Sequence, residues 1–99
     1  MNHVVLTGEL VEASTLRYTP AGLAVLELKL AHDEMIEQSG APRSIQFEIA
    51  VFLLGDMALM WQKAKLGQLL EVEGFLAAAR KNSPKLVLHA TQVRVSSNI

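Results

Sequence analysis

Apolar and polar residues alternate at period two in several windows of this chain, and only one window repeats at helical spacing. Alternation puts every second side chain on one face, so these windows read as strands that must close their apolar faces around a core. The first strand is expected over residues 3–11, with Val4, Leu6 and Leu10 on one face and Gly8 where a bend fits. A turn follows at Tyr18-Thr19-Pro20-Ala21-Gly22, then a half-buried strand over 23–32 in which Leu26, Leu28 and Leu30 alternate with Glu27, Lys29 and Ala31. From Asp33 to Arg43 the apolar pattern lapses, and Ser39-Gly40-Ala41-Pro42 reads as the tip of a mobile loop. Strand three spans 45–54, with Ile45, Phe47, Ile49, Val51 and Leu53 as its inward set.

The single helix follows. Asp56 is expected to cap it, Met57, Met60, Trp61 and Ala64 form an i, i+3, i+4, i+7 stripe, and Gly67 ends it. Strand four is expected over 68–78, with Gly74 permitting curvature, and strand five over 86–95 beyond the connector Arg80-Lys81-Asn82-Ser83-Pro84-Lys85. Residues 96–99 read as a frayed tail. Three strands, a helix and two strands, with glycines in mid-strand, give an all-β chain with one short helix. That is the outline of a five-stranded OB-fold barrel whose helix plugs the end between strands three and four. At 99 residues the chain makes one domain, 1–99, and buries its surface incompletely, which favours a dimeric form.

Composition narrows the function. Cysteine is absent, which excludes thiolate nucleophiles and cysteine-type zinc sites and suits a reducing cytoplasm. The longest apolar run, residues 49–54, is far short of the ~20 residues of a membrane span, and the N-terminus lacks the pattern of an export signal. A soluble protein with no membrane partner is expected. The net charge of −1 conceals a division: residues 1–56 hold three basic and eight acidic groups, whereas residues 57–99 hold six basic and two acidic, with no acid after Glu73. A local polyanion site is therefore possible in the second half.

Catalysis finds no support. His3, His32 and His89 stand far apart in the sequence and outside any ligand or nucleophile spacing, and Glu71 and Glu73 read as a solvated strand face. No enzyme activity, cofactor or metal is expected. The connector is more informative, since Arg80, Lys81 and Lys85 share six residues with Asn82 and Ser83 and could hold phosphates. Among the aromatics, Phe47 and Trp61 read as core, Phe52 and Phe75 as outward-facing, covered by a subunit contact or by loops, and Tyr18 beside Arg17 as a stacking candidate or an ordinary turn residue.

The segments 2–8, 19–22, 26–32, 66–67, 73–75 and 85–93 together resemble the bacterial OB-fold single-stranded DNA-binding proteins, and within them the primosomal branch, nearly end to end. The most specific piece is Lys85-Leu86-Val87-Leu88-His89-Ala90-Thr91-Gln92-Val93. The resemblance implies a non-enzymatic accessory protein of DNA replication restart that binds single-stranded DNA and bridges to a replication-restart helicase and other primosome proteins. It implies a homodimer joined through first strands, at Val4, Val5, Leu6, Thr7 and Leu10. Carried onto this chain, DNA contacts fall on Arg80, Lys81, Lys85 and Arg43, and Arg17, Tyr18 and Lys29 are further DNA-binding candidates of the sequence. The loop 33–43 has no aromatic, and Glu12, Asp33, Ala41 and Gln46 depart from the family's basic and aromatic pattern, so weak, sequence-tolerant binding is expected. The alternative is a protein-interaction OB module with little intrinsic DNA binding.

Overall fold

The computed structural model describes residues 1–96. Strands β1 (Val4–Ala13), β2 (Arg17–Tyr18), β3 (Ala24–Gln38), β4 (Ala41–Leu54), β5 (Leu69–Ala78) and β6 (Leu86–Val95) surround one short helix, α1 (Asp56–Trp61). Sheet order is β1-β5-β6-β4-β3-β2, and a further antiparallel pairing of β1 with β3 closes the five long strands into a barrel. Only β4 and β6 run parallel, meeting at Val51↔Leu88 and Phe52↔His89. The two-residue β2 is attached to the start of β3.

Leu10, Leu26, Leu28, Leu30, Val51, Leu53, Leu70, Val72 and Leu88 fill the interior with at most 1% exposure. Each contributes about 1.5–3 kcal/mol by leaving water. β1 serves two neighbours because a bulge between Leu10 and Glu12 bends it from β5 towards β3. Gly74 answers a second bend, where β6 shifts register: a Cβ there would collide with the His89 carbonyl. The tail expected at 96–99 falls mostly outside the described residues, although Ser96 donates to the Leu69 carbonyl at 2.9 Å.

Three local expectations need correction. The stretch 33–43 is not a mobile loop: β3 and β4 pair without interruption from Val25↔Leu54 to Gln38↔Ala41, forming an arm that leaves the barrel. Its turn is Ser39–Gly40, both at positive φ (54° and 78°), the conformation that suits a two-residue hairpin. Most side chains on both faces of the arm are exposed, so burial selected no alternation. Tyr18, expected in a turn, is in β2, and the turn begins after it.

The helix is shorter and differently phased. Gly55 (φ 66°), not Asp56, is its N-cap, and no side chain caps it. Ala58 is buried while Met60 is 78% exposed, so the inward stripe is Met57, Ala58, Trp61 and Ala64. Gly67 does not end the helix; it donates to the Leu10 carbonyl at 2.8 Å and leads into β5.

Candidate nucleic-acid interface

Outward-facing residues of β4, β6 and β5 meet in one row. Phe52 lies opposite His89 on β6, and His89 opposite Phe75 on β5. The rings stack: Phe52 and His89 have centroids 5.7 Å apart at 25°, and His89 and Phe75 5.2 Å apart at 11°. Such pairs contribute about 0.5–1.5 kcal/mol each and hold ring planes in place. Phe75, last in the row and 42% exposed, leaves ring surface open to solvent.

Alternation along β6 places Lys85, Val87 and His89 on the same side, and Ala79 donates to the Lys85 carbonyl at 2.8 Å, which carries the ladder up to the connector. Between the rings and the connector the neighbouring positions are small or buried: Ala77, Val87 (2% exposed) and Ala50 (6% exposed). The tip is a tight turn in which Ser83 donates to the Arg80 carbonyl at 3.0 Å and Asn82 takes a positive φ of 65°. Arg80, Lys81 and Lys85 are exposed, and among the described residues none has an ion-pair partner.

The remaining sequence candidates lie apart from this row. Arg43 sits opposite Ile36 near the arm tip and donates to Gln38 at 2.6 Å. Arg17 and Tyr18 pair with Val25 and Ala24 at the other end of β3, about 36 Å along the strand at ~3.3 Å per residue. Lys29 is held by Glu12 at 3.1 Å, and that hydrogen bond and charge raise its pKa above the ordinary 10.5. Around it the outward face of β3 and β4 is acidic, carrying Glu27, Glu48, Asp33 and Glu37. The inward reading of Phe47 also fails: it is 41% exposed against His32, because its position lies where the arm has already left the barrel.

At the first strand, Val4 and Leu6 pack on the core, Thr7 is half-buried and Val5 is 53% exposed. Leu10 is a correction to the expected subunit contact. Its side chain is 0% exposed inside its own barrel, and its backbone is bonded to Gln68 and Gly67, so it has nothing to offer a partner.

Sequence reasoning placed Phe52 and Phe75 outward but missed His89 between them. Its signal was parity with Lys85 on the same strand, and only the cross-strand register shows what that parity means.

The chain belongs to a family of single-strand binding proteins: the model described as another single-strand binding protein family matches residues 2–92. Within the family it is similar to the replication restart protein PriB of Bordetella pertussis, 43% identical over 95% of this chain and 88% of that one. The solved structure of PriB from Ralstonia solanacearum superposes with a TM-score of 0.88 at 29% identity, covering 98% of this chain and 99% of that one. The single-stranded DNA-binding protein of Thermus aquaticus superposes with a TM-score of 0.79 at 35% identity, over 98% of this chain and 50% of the other.

Proposed function

We propose that this protein is a non-enzymatic accessory factor of DNA replication restart that binds single-stranded DNA weakly and without sequence preference. The observation that carries this reading is the Phe52–His89–Phe75 stack, laid across three strands beside a connector with three unpaired cations. Bases stack on aromatic faces whatever their identity, and phosphates take the neighbouring cations, so the arrangement suits a flexible strand and not a duplex. The names of the relatives supply the process: PriB is a replication restart protein in Bordetella.

The chain acts as a cytoplasmic homodimer, with Val5 and Thr7 presenting the free edge of β1, and bridges to a replication-restart helicase. Arg80, Lys81 and Lys85 are the main phosphate contacts. Arg43, Arg17 and Tyr18 lie too far apart for one short site and serve a strand that wraps further, while Lys29 must first leave Glu12. No described helix is long and apolar enough to cross a membrane.

Titration of labelled oligo-dT at two salt concentrations, with duplex as control, tests the reading. About three to six phosphate contacts give a log K against log salt slope of roughly −2 to −4. Equal affinity for duplex, or no salt dependence, would count against it. One observation favours the second reading, a protein-interaction module with little DNA binding: the acidic outward face of β3 and β4 repels phosphate and suits a basic protein surface. Absence of oligo-dT binding with retained helicase binding would decide for that alternative.

A further inference from the structure

Two of the three histidines spend their ring nitrogens on the protein itself. His3 lies 2.6 Å from Glu73, and His32 lies 2.6 Å from the Thr7 carbonyl and 3.0 Å from Glu34. His89 does neither: among the described residues no hydrogen bond or ion pair engages its nitrogens. Its faces, by contrast, are both occupied, by Phe52 from β4 and by Phe75 from β5, the two strands that flank β6.

The two parts of the ring therefore have different tasks. The nitrogens lie in the ring plane, so a half-buried imidazole stacked on both sides meets solvent along the edge that carries them. The open phenyl face belongs to Phe75, and a base stacked there is joined to the next by a phosphodiester that passes the imidazole edge.

The surroundings also accommodate a positive charge without neutralising it. Phenyl faces attract a cation within ~6 Å through the negative side of their quadrupole, and both centroids lie inside that distance, at 5.7 and 5.2 Å. The nearby carboxylates are committed or offset. On β3, Glu27 stands opposite Phe52, with that ring between it and His89, and on β4 Glu48 lies two outward positions before Phe52. On β5, Glu73 is held by His3 and approached by Arg94 at 3.9 Å, while Glu71 holds Arg94 at 2.6 Å. Lys29 is tied to Glu12, and Lys85, on the same side of β6, is unpaired like the rest of the connector.

Resting on the single-strand-binding reading, the geometry points to His89 as a phosphate contact whose charge state sets how many ions the bound strand displaces. Neutral, the ring carries one N–H and one bare nitrogen that repels a phosphate oxygen. Protonated, it presents two donors and a charge that no carboxylate cancels. Histidine gains that charge as pH falls from about 8 to 5, so the protein binds single strands more tightly, and with a steeper salt dependence, on the acid side.

Salt titrations of oligo-dT binding at about pH 8 and about pH 5.5 test this, since neither thymine nor the phosphodiester changes charge between them. On acidification the slope of log K against log salt should steepen by about 0.7 more in the parent than in His89→Phe, and affinity at about 0.1 M salt should rise about fivefold more. H89F keeps three rings in a row and cannot titrate. His3→Asn, which removes the histidine at the Phe75 end, should retain the parent's response. A second measurement needs no substitution: saturating oligo-dT should move the titration of the His89 ring protons to higher pH, because a facing phosphate favours the charged form, and leave His32 in place. Absence of oligo-dT binding at both pH values overturns the single-strand reading and this role with it. Salt-dependent binding with equal pH responses in parent and H89F, or a response that H3N abolishes, overturns the role of His89 and leaves that reading standing. Ring protons of His89 that titrate alike with and without oligo-dT do the same.

Discussion

Two antiparallel hairpins extend from the same barrel, β3–β4 as a long arm turned at Ser39–Gly40 and β5–β6 as a shorter one closed by the 80–85 connector. Their backbones follow the same rules and their outward faces adjoin, because β4 and β6 are neighbours. Their charge is opposite. The outward side of β3–β4 carries Glu27, Asp33, Glu37 and Glu48 around a single lysine that Glu12 already engages, whereas the β5–β6 connector carries Arg80, Lys81 and Lys85 with no acid nearby in sequence. Since backbone geometry is shared, side-chain charge decides which hairpin can lie along a phosphate backbone. A strand crossing β4, β6 and β5 passes over the stacked rings; a strand following the arm would meet carboxylates.

The largest effect should come from removing the cations on the favourable side. Replacing Arg80, Lys81 and Lys85 by Ala removes three contacts per protomer, each contributing about 0.7 log unit at 0.1 M salt, so affinity for oligo-dT falls on the order of a hundredfold and the salt slope flattens by about 2. All three are exposed and remote from the core, so thermal unfolding should be unchanged. A triple variant that binds as well as the parent at low salt would move the site off this hairpin.

Next is the platform itself. Stacking contributes about 1–3 kcal/mol per base, so Phe75→Ala should weaken oligo-dT binding by roughly thirtyfold with the salt slope intact, because no phosphate contact is lost. Phe75→Leu, which keeps apolar bulk without a ring face, should behave nearly as the alanine variant does. Trp61 packs against the core on the far side of α1's exposed residues, so its emission should be blue-shifted and hardly quenched by DNA in all of these proteins. Strong quenching would place the strand near the helix. On the other hairpin the sign reverses: Asp33→Asn with Glu37→Gln should tighten binding two- to threefold at about 50 mM salt and have little effect near 0.5 M, where charges this distant are screened.

How much of this was legible in the sequence follows from which faces are buried. Strands with one face in the core declared themselves, and the glycine at 74 marked the bend it serves. The arm did not, since neither of its faces is selected for burial. Helix phase was hidden because residues 57–61 are all apolar, so several stripes fit equally well and only packing chose Ala58 over Met60. Parity placed Phe47 on the inward side of β4 correctly, yet parity says nothing about where the barrel ends. The site suffered from the same gap. Phe52, His89 and Phe75 are separated by many residues, and their meeting depends on one parallel and one antiparallel register that no local pattern encodes. Lys29 looked available for phosphate because its partner Glu12 lies on another strand, opposite it across the β1–β3 seam.

That seam supplies the smallest of the expected effects and the one that tests whether Lys29 is withheld from DNA. Glu12 raises the Lys29 pKa above 10.5 chiefly through its hydrogen bond, then through its charge. A folded-state pKa raised above the unfolded value stabilises the fold fully below about 10.5 and loses that contribution as pH rises through the higher folded value. Glu12→Gln should therefore lower the melting temperature slightly at pH 7–9, and the gap to the parent protein should close only above pH ~10.5, as Lys29 loses its proton. The pair is exposed, so the shift in stability is small. The consequence for binding is cleaner. Freed from its carboxylate, Lys29 becomes a mobile cation on the outward side of the acidic hairpin, and E12Q should steepen the salt slope by about 0.7 if a bound strand reaches β3. An unchanged slope in E12Q, together with a flattened one in the connector variant, would confine the strand to β4, β6 and β5.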